Sequence, residues 1–135
     1  MRWTPLFLIG SALASSMPAS VGQKDASVQY PSQLHGMWIP EDASCPLPGE
    51  SYDGDSVMNI GPRMIQGYED RSKPTAVARI SRSPLAWRIE SSMDVGPSGF
   101  YVTDDPKIFV MGEGRLTVVS SSHTEIYRKC ASRGK

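Results

Sequence analysis

The amino-acid sequence predicts an all-β domain, a small antiparallel up-and-down β-barrel of eight to nine short strands with one disulfide. Twelve glycines and eleven prolines interrupt the chain too often for long helices. The runs between them are short and rich in Val, Ile, Tyr and Trp, and turn-forming residues recur about every ten positions. Short strands joined by tight turns are typical of an antiparallel meander.

The run LAWRIE, residues 85–90, has the clearest strand pattern. Leu85, Trp87 and Ile89 fall on one side and alternate with Ala86, Arg88 and Glu90. This period of two predicts a strand with one face towards the core and one towards water. Similar runs predict strands at 36–40, 56–60, 63–69, 75–81, 85–93, 99–104, 107–111, 115–120 and 124–129.

The two cysteines of the chain, Cys45 and Cys130, follow the first predicted strand and end the last one. In an exported protein an even cysteine count indicates a disulfide, and two cysteines allow only one pairing. The bond would join the first strand to the last. A meander must also cover or pair its edge strands. Both observations favour a closed or nearly closed barrel, with a β-sandwich as the alternative.

The N-terminal segment has the composition of a secretory signal peptide. Arg2 supplies the positive start, residues 6–9 an apolar run, and Ala12-Leu13-Ala14 a cleavage site of small residues, so we expect cleavage between residues 14 and 22. A retained anchor is the alternative, but the apolar run is far shorter than the ~20 residues that span a bilayer. We predict a signal peptide at 1–22, a flexible lead-in at 23–33, the barrel at 34–130 and a tail at 131–135, in a periplasmic or secreted protein without a stable membrane span.

Several function classes find no support in the composition. The mature chain is near neutral and its basic residues are scattered, which argues against a nucleic-acid partner. Motifs such as HExxH, GxSxG, a P-loop and CxxC are absent. His35 and His123 cannot form a three-histidine zinc site, although a Ser-His-Asp triad stays open because geometry defines it. We therefore expect no enzyme activity, no cofactor and no metal site, with methionines at 58, 64, 93 and 111 filling the core rather than binding copper.

The stretch LHGMW opens the predicted barrel. Gly36 would allow close approach of a neighbouring backbone, and Trp38, on the same side of the strand, would plug one end of the barrel. This G-x-W spacing resembles the first strand of lipocalins and their calycin relatives. The domain as a whole resembles a group of small exported bacterial proteins, mostly without assigned function, in the positions Leu34, Gly36, Trp38, Cys45, Tyr68, Glu69, Leu116, Val118, Tyr127, Arg128 and Cys130. The resemblance implies a lipocalin-like barrel in an exported protein.

Tyr68-Glu69 is the polar pair most suggestive of function. If Tyr68 packs against the barrel, Glu69 can turn inward, and burial would then require an arginine partner from Arg79, Arg88 or Arg128. Such a pair could anchor a ligand in the barrel mouth. The alternative is a surface ion pair worth under about 1 kcal/mol.

A second candidate segment is GPSGFY, residues 96–101. It resembles the Ser-Gly-x-x-Tyr loop of periplasmic C-type lysozyme inhibitors, with Ser98, Gly99 and Tyr101 in the matching positions and the tyrosine one residue earlier. The resemblance implies a loop that enters an enzyme cleft. The alternative is a hairpin turn with Phe100 or Tyr101 in the core.

These observations predict a non-enzymatic exported β-barrel protein that binds a small ligand or a protein partner of unassigned identity. Its candidate binding rim consists of Glu69, Ser98, Gly99 and Tyr101, because exposed aromatic and charged residues on loops of a rigid barrel are common binding residues. The alternative function is inhibition of a host hydrolase such as C-type lysozyme. An open cavity would favour the small ligand, and a filled core with a protruding loop would favour the protein partner.

Overall fold

The structure, a computed structural model, describes residues 27–50, 54–96 and 99–131. The predicted signal peptide, Ser98 and residues 132–135 of the tail lie outside these ranges. The described ranges contain a short 3-10 helix, Ser32–Leu34, and nine strands: β1 (Gly36–Pro40), β2 (Met58–Ile60), β3 (Ile65–Gln66), β4 (Arg71–Arg82), β5 (Leu85–Asp94), β6 (Tyr101–Thr103), β7 (Lys107–Gly112), β8 (Arg115–Val119) and β9 (Thr124–Lys129). No helix within them is long and apolar enough to cross a membrane.

The strands form a closed antiparallel barrel. The strands β1, β2, β3, β4 and β5 pair in chain order. The strand β5 then pairs with β7, β7 with β8, and β8 with β9, and β9 pairs with β1 to close the ring. The strand β6 pairs with β5 beyond the end of β7 and is an addition to the eight-stranded ring. The predicted up-and-down barrel is confirmed, and the β-sandwich alternative is wrong.

Two neighbouring strands differ in length from the prediction. The strand expected at 63–69 is reduced to β3, because a tight turn begins at Gly67, whose N–H donates to Asp70 O over 2.9 Å. The strand β4 is longer than predicted and bulges between Pro74 and Ala76 and between Arg79 and Ser81. The strand β3 pairs only with the first two residues of β4. Within the described chain, residues 73–82 of β4 therefore pair on one side only, with β5.

The core occupies the barrel interior. Trp38, Leu34, Ile39, Ile89 and Leu116 are fully buried, and Trp87 is 4% exposed, so the predicted burial of Trp38 and Trp87 is confirmed. The alternation along β5 places Trp87 and Ile89 in the core as expected. Its small residue Ala86, expected on the solvent side, is also buried.

Tyr30 extends the core beyond the predicted domain boundary at residue 34. It is 3% exposed, its N–H donates to Pro62 O over 2.8 Å, and its hydroxyl donates to Ser72 O over 3.3 Å. A single tyrosine among polar residues has no periodic pattern that would predict burial. The described end of the segment expected to be flexible therefore packs against the barrel.

Glycine is needed at the first position of the G-x-W motif for a different physical reason from the one predicted. Gly36 has φ +132°, which favours glycine, and a Cβ there would lie 2.7 Å from Cε of Lys129. The close neighbour is thus a lysine side chain rather than another backbone. The Lys129 ammonium lies 5.4 Å from the centroid of the Trp38 ring, within cation–π range. Gly36 leaves room for the lysine that covers Trp38, and the Trp38 indole N–H donates to Leu34 O over 2.8 Å.

The disulfide joins Cys45 to Cys130, with Cα atoms 5.8 Å apart, and confirms the predicted pairing. The bond ties the segment after β1 to the end of β9, two strands that also pair directly. Two further contacts reinforce this junction: Cys130 N–H donates to Met37 O over 2.9 Å, and Arg128 Nε donates to Ala43 O over 3.1 Å. First and last strands are therefore joined covalently and by hydrogen bonds.

Candidate functional site

Rim residues that are distant in sequence meet at one end of the barrel. Arg71, the first residue of β4, pairs with Asp94, the last residue of β5, so the β3–β4 turn lies beside the β5–β6 loop. Glu69, Gly99 and Tyr101 all line one open depression there, which we call the mouth depression. The structure thus brings together three of the four predicted rim residues, and the fourth, Ser98, lies outside the described residues.

The β3–β4 turn presents its side chains to solvent. Tyr68 and Glu69 occupy the two central positions of the turn closed by Gly67 and Asp70. Tyr68 is 57% exposed and Glu69 is exposed, so the inward orientation predicted for Glu69 is wrong. The turn begins before the predicted strand end, and the centre of a tight turn faces away from the barrel.

The arginines predicted to meet Glu69 are placed elsewhere. Arg88 forms an ion pair with Glu90, its neighbour along the same face of β5, and Arg128 donates to the carbonyl of Ala43. Arg79 lies on the exposed part of β4. No ion pair of Glu69 is found within the described chain, so the surface ion pair predicted as its alternative is not formed there either.

The β5–β6 loop projects an aromatic side chain into solvent. Val95 N–H donates to Phe100 O over 3.0 Å, which closes the loop, and Gly99 has φ +66°, a conformation that favours glycine. Phe100 is 67% exposed, so its predicted alternative place in the core is wrong. The ring of Tyr101 is half-buried under Lys73, whose Nζ lies 4.4 Å from the ring centroid. Phe100, rather than Tyr101, is the free aromatic of the loop.

A separate cavity of about 220 Å³ lies within the barrel, beside the mouth depression. We call it the barrel cavity. Its lining combines apolar core side chains with polar side chains, including two acidic residues that it shares with the mouth depression. The lining consists of Tyr30, Asp55, Ser56, Val57, Met58, Ile65, Gly67, Asp70, Ser72, Ile89, Ser91, Lys107, Phe109, Val118, Glu125 and Tyr127.

Two tyrosine hydroxyls lie at the barrel cavity and stay protonated to high pH. Burial raises the pKa of Tyr30 well above its usual value near 10. The pKa of Tyr127 is raised first by burial and then by its hydrogen bond to Glu125, whose Oε2 accepts the hydroxyl over 2.5 Å; the charge of Asp70 adds to the effect. Both hydroxyls are therefore neutral donors at physiological pH.

The raised pKa values of Tyr30 and Tyr127 predict that the folded protein becomes less stable at alkaline pH. Above about pH 10 the unfolded state loses the tyrosine protons while the folded state keeps them, so the free energy of unfolding falls as pH rises, by up to about 1.4 kcal/mol per pH unit for each tyrosine. We expect urea unfolding at pH 8 and pH 11 to show this loss in the parent and a clearly smaller one in Tyr127→Phe. Tyr68→Phe, at an exposed position, is the control and should keep the parental pH dependence. Equal slopes for Tyr127→Phe and the parent would contradict the assignment.

Negative charge predominates in the lining of the mouth depression and the barrel cavity. The carboxylates are Asp55, Glu69, Asp70, Asp94 and Glu125, and the cations are Arg71 and Lys107, with Lys73 beside the depression over the Tyr101 ring. Lys107 is already paired with Asp104. Asp55 and Asp70 form no ion pair within the described residues. This end of the barrel therefore attracts cationic groups.

The histidines lie in local hydrogen-bonded arrangements. His35 Nε2 is 3.0 Å from Tyr30 O. His123 Nδ1 is 2.8 Å from Ser122 Oγ, and its Nε2 is 3.8 Å from Glu125 Oε1, but these side chains are exposed and belong to the β8–β9 turn and the start of β9. Within the described chain, no group of three His, Cys, Asp or Glu side chains could hold a metal ion.

Some residues of the site carry no signal in the sequence that would predict their role. Phe100 is one residue from the predicted rim residues, and only the loop geometry shows that it projects while Tyr101 is covered. Tyr30 enters the barrel cavity from a polar segment, and Lys73 reaches Tyr101 across β5. Comparison with protein-family models, curated proteins and solved structures gives no match, so geometry and charge alone identify this end of the barrel as the candidate site.

Proposed function

We propose that this chain is an exported, non-enzymatic β-barrel protein that binds a basic protein partner through its mouth depression. One observation carries the proposal. Three large exposed side chains, Tyr68 (57%), Val95 (54%) and Phe100 (67%), adjoin a depression that contains four carboxylates and one arginine. Exposed aromatic side chains are frequent hot spots of protein interfaces, and complementary charge accelerates association and favours the correct partner.

A protein partner fits this end of the barrel better than a large enclosed ligand. The barrel cavity, about 220 Å³, is below the ~300–1,000 Å³ of sites that enclose drug-sized molecules. The exposed aromatics lie outside it, on a turn and a loop supported by β4 and β5. These two strands pair over most of their length, which holds the turn and loop in fixed relative positions.

Export rests on two observations. The N-terminal segment has the pattern of a cleaved signal peptide. The disulfide between Cys45 and Cys130 is of the kind that persists in oxidising compartments such as the periplasm or the extracellular space. The proposed partner is therefore a basic protein of the envelope or of the surroundings.

Inhibition of a host hydrolase such as C-type lysozyme is the second candidate. The projection of Phe100 from the β5–β6 loop favours it, because an inhibitor loop must insert a side chain into the enzyme cleft. The likeness to lysozyme inhibitors assigned this role to Ser98 and Tyr101. With Tyr101 covered by Lys73, Phe100 would be the inserted residue.

The test uses the exported protein, with its intact mass confirming the cleaved and oxidised form, as bait for periplasmic extract and host secretions. We expect a basic partner whose affinity falls at least thirtyfold for Phe100→Ala, as for a hot-spot residue, and falls with added salt. Ile80→Ala, which truncates another exposed apolar residue (54% exposed) on β4, is the matched control and should bind like the parent.

Two results would count against these functions. Recovery of the same partners with the same affinity by Phe100→Ala and the parent would remove the mouth depression from consideration. For the second candidate, lysozyme activity is measured with an excess of the parent protein. An unchanged rate of cell-wall lysis would exclude lysozyme inhibition.

A further inference from the structure

We propose that the barrel cavity is a binding site for a small organic cation, an amine with an apolar body of a few carbon atoms. This inference goes beyond the proposed protein partner, because it concerns the interior of the barrel rather than the exposed turn and loop. Three features support it: the size of the cavity, the buried apolar side chains in its lining, and the charge where it joins the mouth depression.

The size and walls of the cavity select a small apolar body. A volume of about 220 Å³ corresponds to about seven water molecules at their liquid volume of about 30 Å³ each. Ile89, Phe109 and Val118 supply buried apolar side chains, and Met58 and Ile65 add partly buried ones. Water beside such walls gains little from them, so a ligand that covers them with carbon and displaces the water is favoured.

The two tyrosine hydroxyls at the cavity already donate hydrogen bonds. The Tyr127 hydroxyl donates to Glu125 and the Tyr30 hydroxyl donates to Ser72 O. Among the described residues, no buried side-chain nitrogen or oxygen lacks a hydrogen-bond partner. The hydroxyls can still accept a hydrogen bond through their oxygen atoms. A ligand that donates hydrogen bonds therefore fits these two hydroxyls better than one that only accepts them.

The charge at the opening selects a cation. Asp55 and Asp70 line both the barrel cavity and the mouth depression, so they lie where the two join. Gly67 makes room for Asp70, because a Cβ at position 67 would lie 2.0 Å from Asp70 Oδ1. The cation in the lining, Lys107, is paired with Asp104, which leaves Asp55 and Asp70 without an ion pair in the described chain. An ammonium group at this junction would supply the missing positive charge while its apolar body enters the cavity.

The charge series benzylamine, benzyl alcohol and benzoate tests the inference, because the three molecules have nearly the same size and differ in charge. Binding to the oxidised, signal-cleaved protein is followed by chemical-shift changes in ¹H–¹⁵N spectra. We expect saturable shifts with benzylamine at residues of the cavity lining, at least fivefold weaker binding of benzyl alcohol, and no binding of benzoate. Asp70→Asn should weaken benzylamine binding about tenfold.

Glu113→Gln is the matched control, since it makes the same charge change in the exposed β7–β8 turn and should leave the affinity unchanged. Phe100→Ala should also leave it unchanged, which separates this site from the protein-binding proposal. The inference is overturned if benzylamine gives no saturable shifts, if benzyl alcohol or benzoate binds within fivefold of benzylamine, or if Asp70→Asn binds benzylamine within fivefold of the parent. The spectrum of each variant shows directly whether it is folded.

Discussion

Replacing Trp38 by alanine is expected to lower the free energy of unfolding by about 3–5 kcal/mol, a large share of the ~5–15 kcal/mol typical of a small domain. The side chain is fully buried in the core cluster, so its removal leaves a cavity. The substitution also deprives Leu34 O of its indole donor and Lys129 of the ring beneath its ammonium. Urea unfolding followed by circular dichroism measures the effect.

Two variants separate the contributions at Trp38. Trp38→Phe keeps most of the buried volume but loses the hydrogen bond, so we expect a smaller loss than with alanine. Ile126→Ala truncates an exposed residue of β9 and should stay within about 0.5 kcal/mol of the parent. An unfolding midpoint of Trp38→Ala equal to that of the parent would show that Trp38 does not stabilise the barrel.

Removing the disulfide is expected to lower the free energy of unfolding by a similar amount. The bond closes a loop with a sequence separation of 85 residues, for which the chain-entropy estimate gives at most about 4–5 kcal/mol. The double variant Cys45→Ala/Cys130→Ala should therefore unfold at a much lower urea concentration. The β1–β9 pairing remains in the variant, so we expect the barrel to fold without the bond.

Reductant supplies the control for this prediction. It should lower the midpoint of the parent to about that of the double variant and leave the double variant unchanged. A reduced parent as stable as the oxidised one would mean that the hydrogen bonds between β1 and β9 alone hold the junction.

The sequence predicts the fold well because the fold depends on repeated local signals. Alternation in residues 85–90 identifies β5, and the positions of Cys45 and Cys130 indicate closure of the first strand onto the last. These signals need no knowledge of long-range contacts. The length of β4 was not predictable in the same way, because its alternation is weak and Pro74 interrupts it at a bulge.

The site is less predictable because it depends on where turns begin. Glu69 was expected at a strand end facing inward, but Gly67 starts the turn earlier and exposes it. Likewise Phe100 and Tyr101 are adjacent aromatics, and only the position of Lys73 on a neighbouring strand decides which of them is covered. The barrel cavity combines one or two residues from each of seven strands with residues of the loops between them, so no single segment contains its pattern.

The two-residue strand β3 has a consequence for how the barrel moves. Ile65–Ser72 and Gln66–Arg71 are the only paired positions between β3 and β4, whereas β4 and β5 pair at ten positions. β3 also pairs with β2 at only two positions, and local opening begins where the fewest hydrogen bonds must break, so we expect the two edges of β3 to open before the rest of the barrel. Ile65 and Ser72 also line the barrel cavity. We therefore expect a small molecule to reach the cavity through the wall formed by β3, while the disulfide keeps β1 and β9 together.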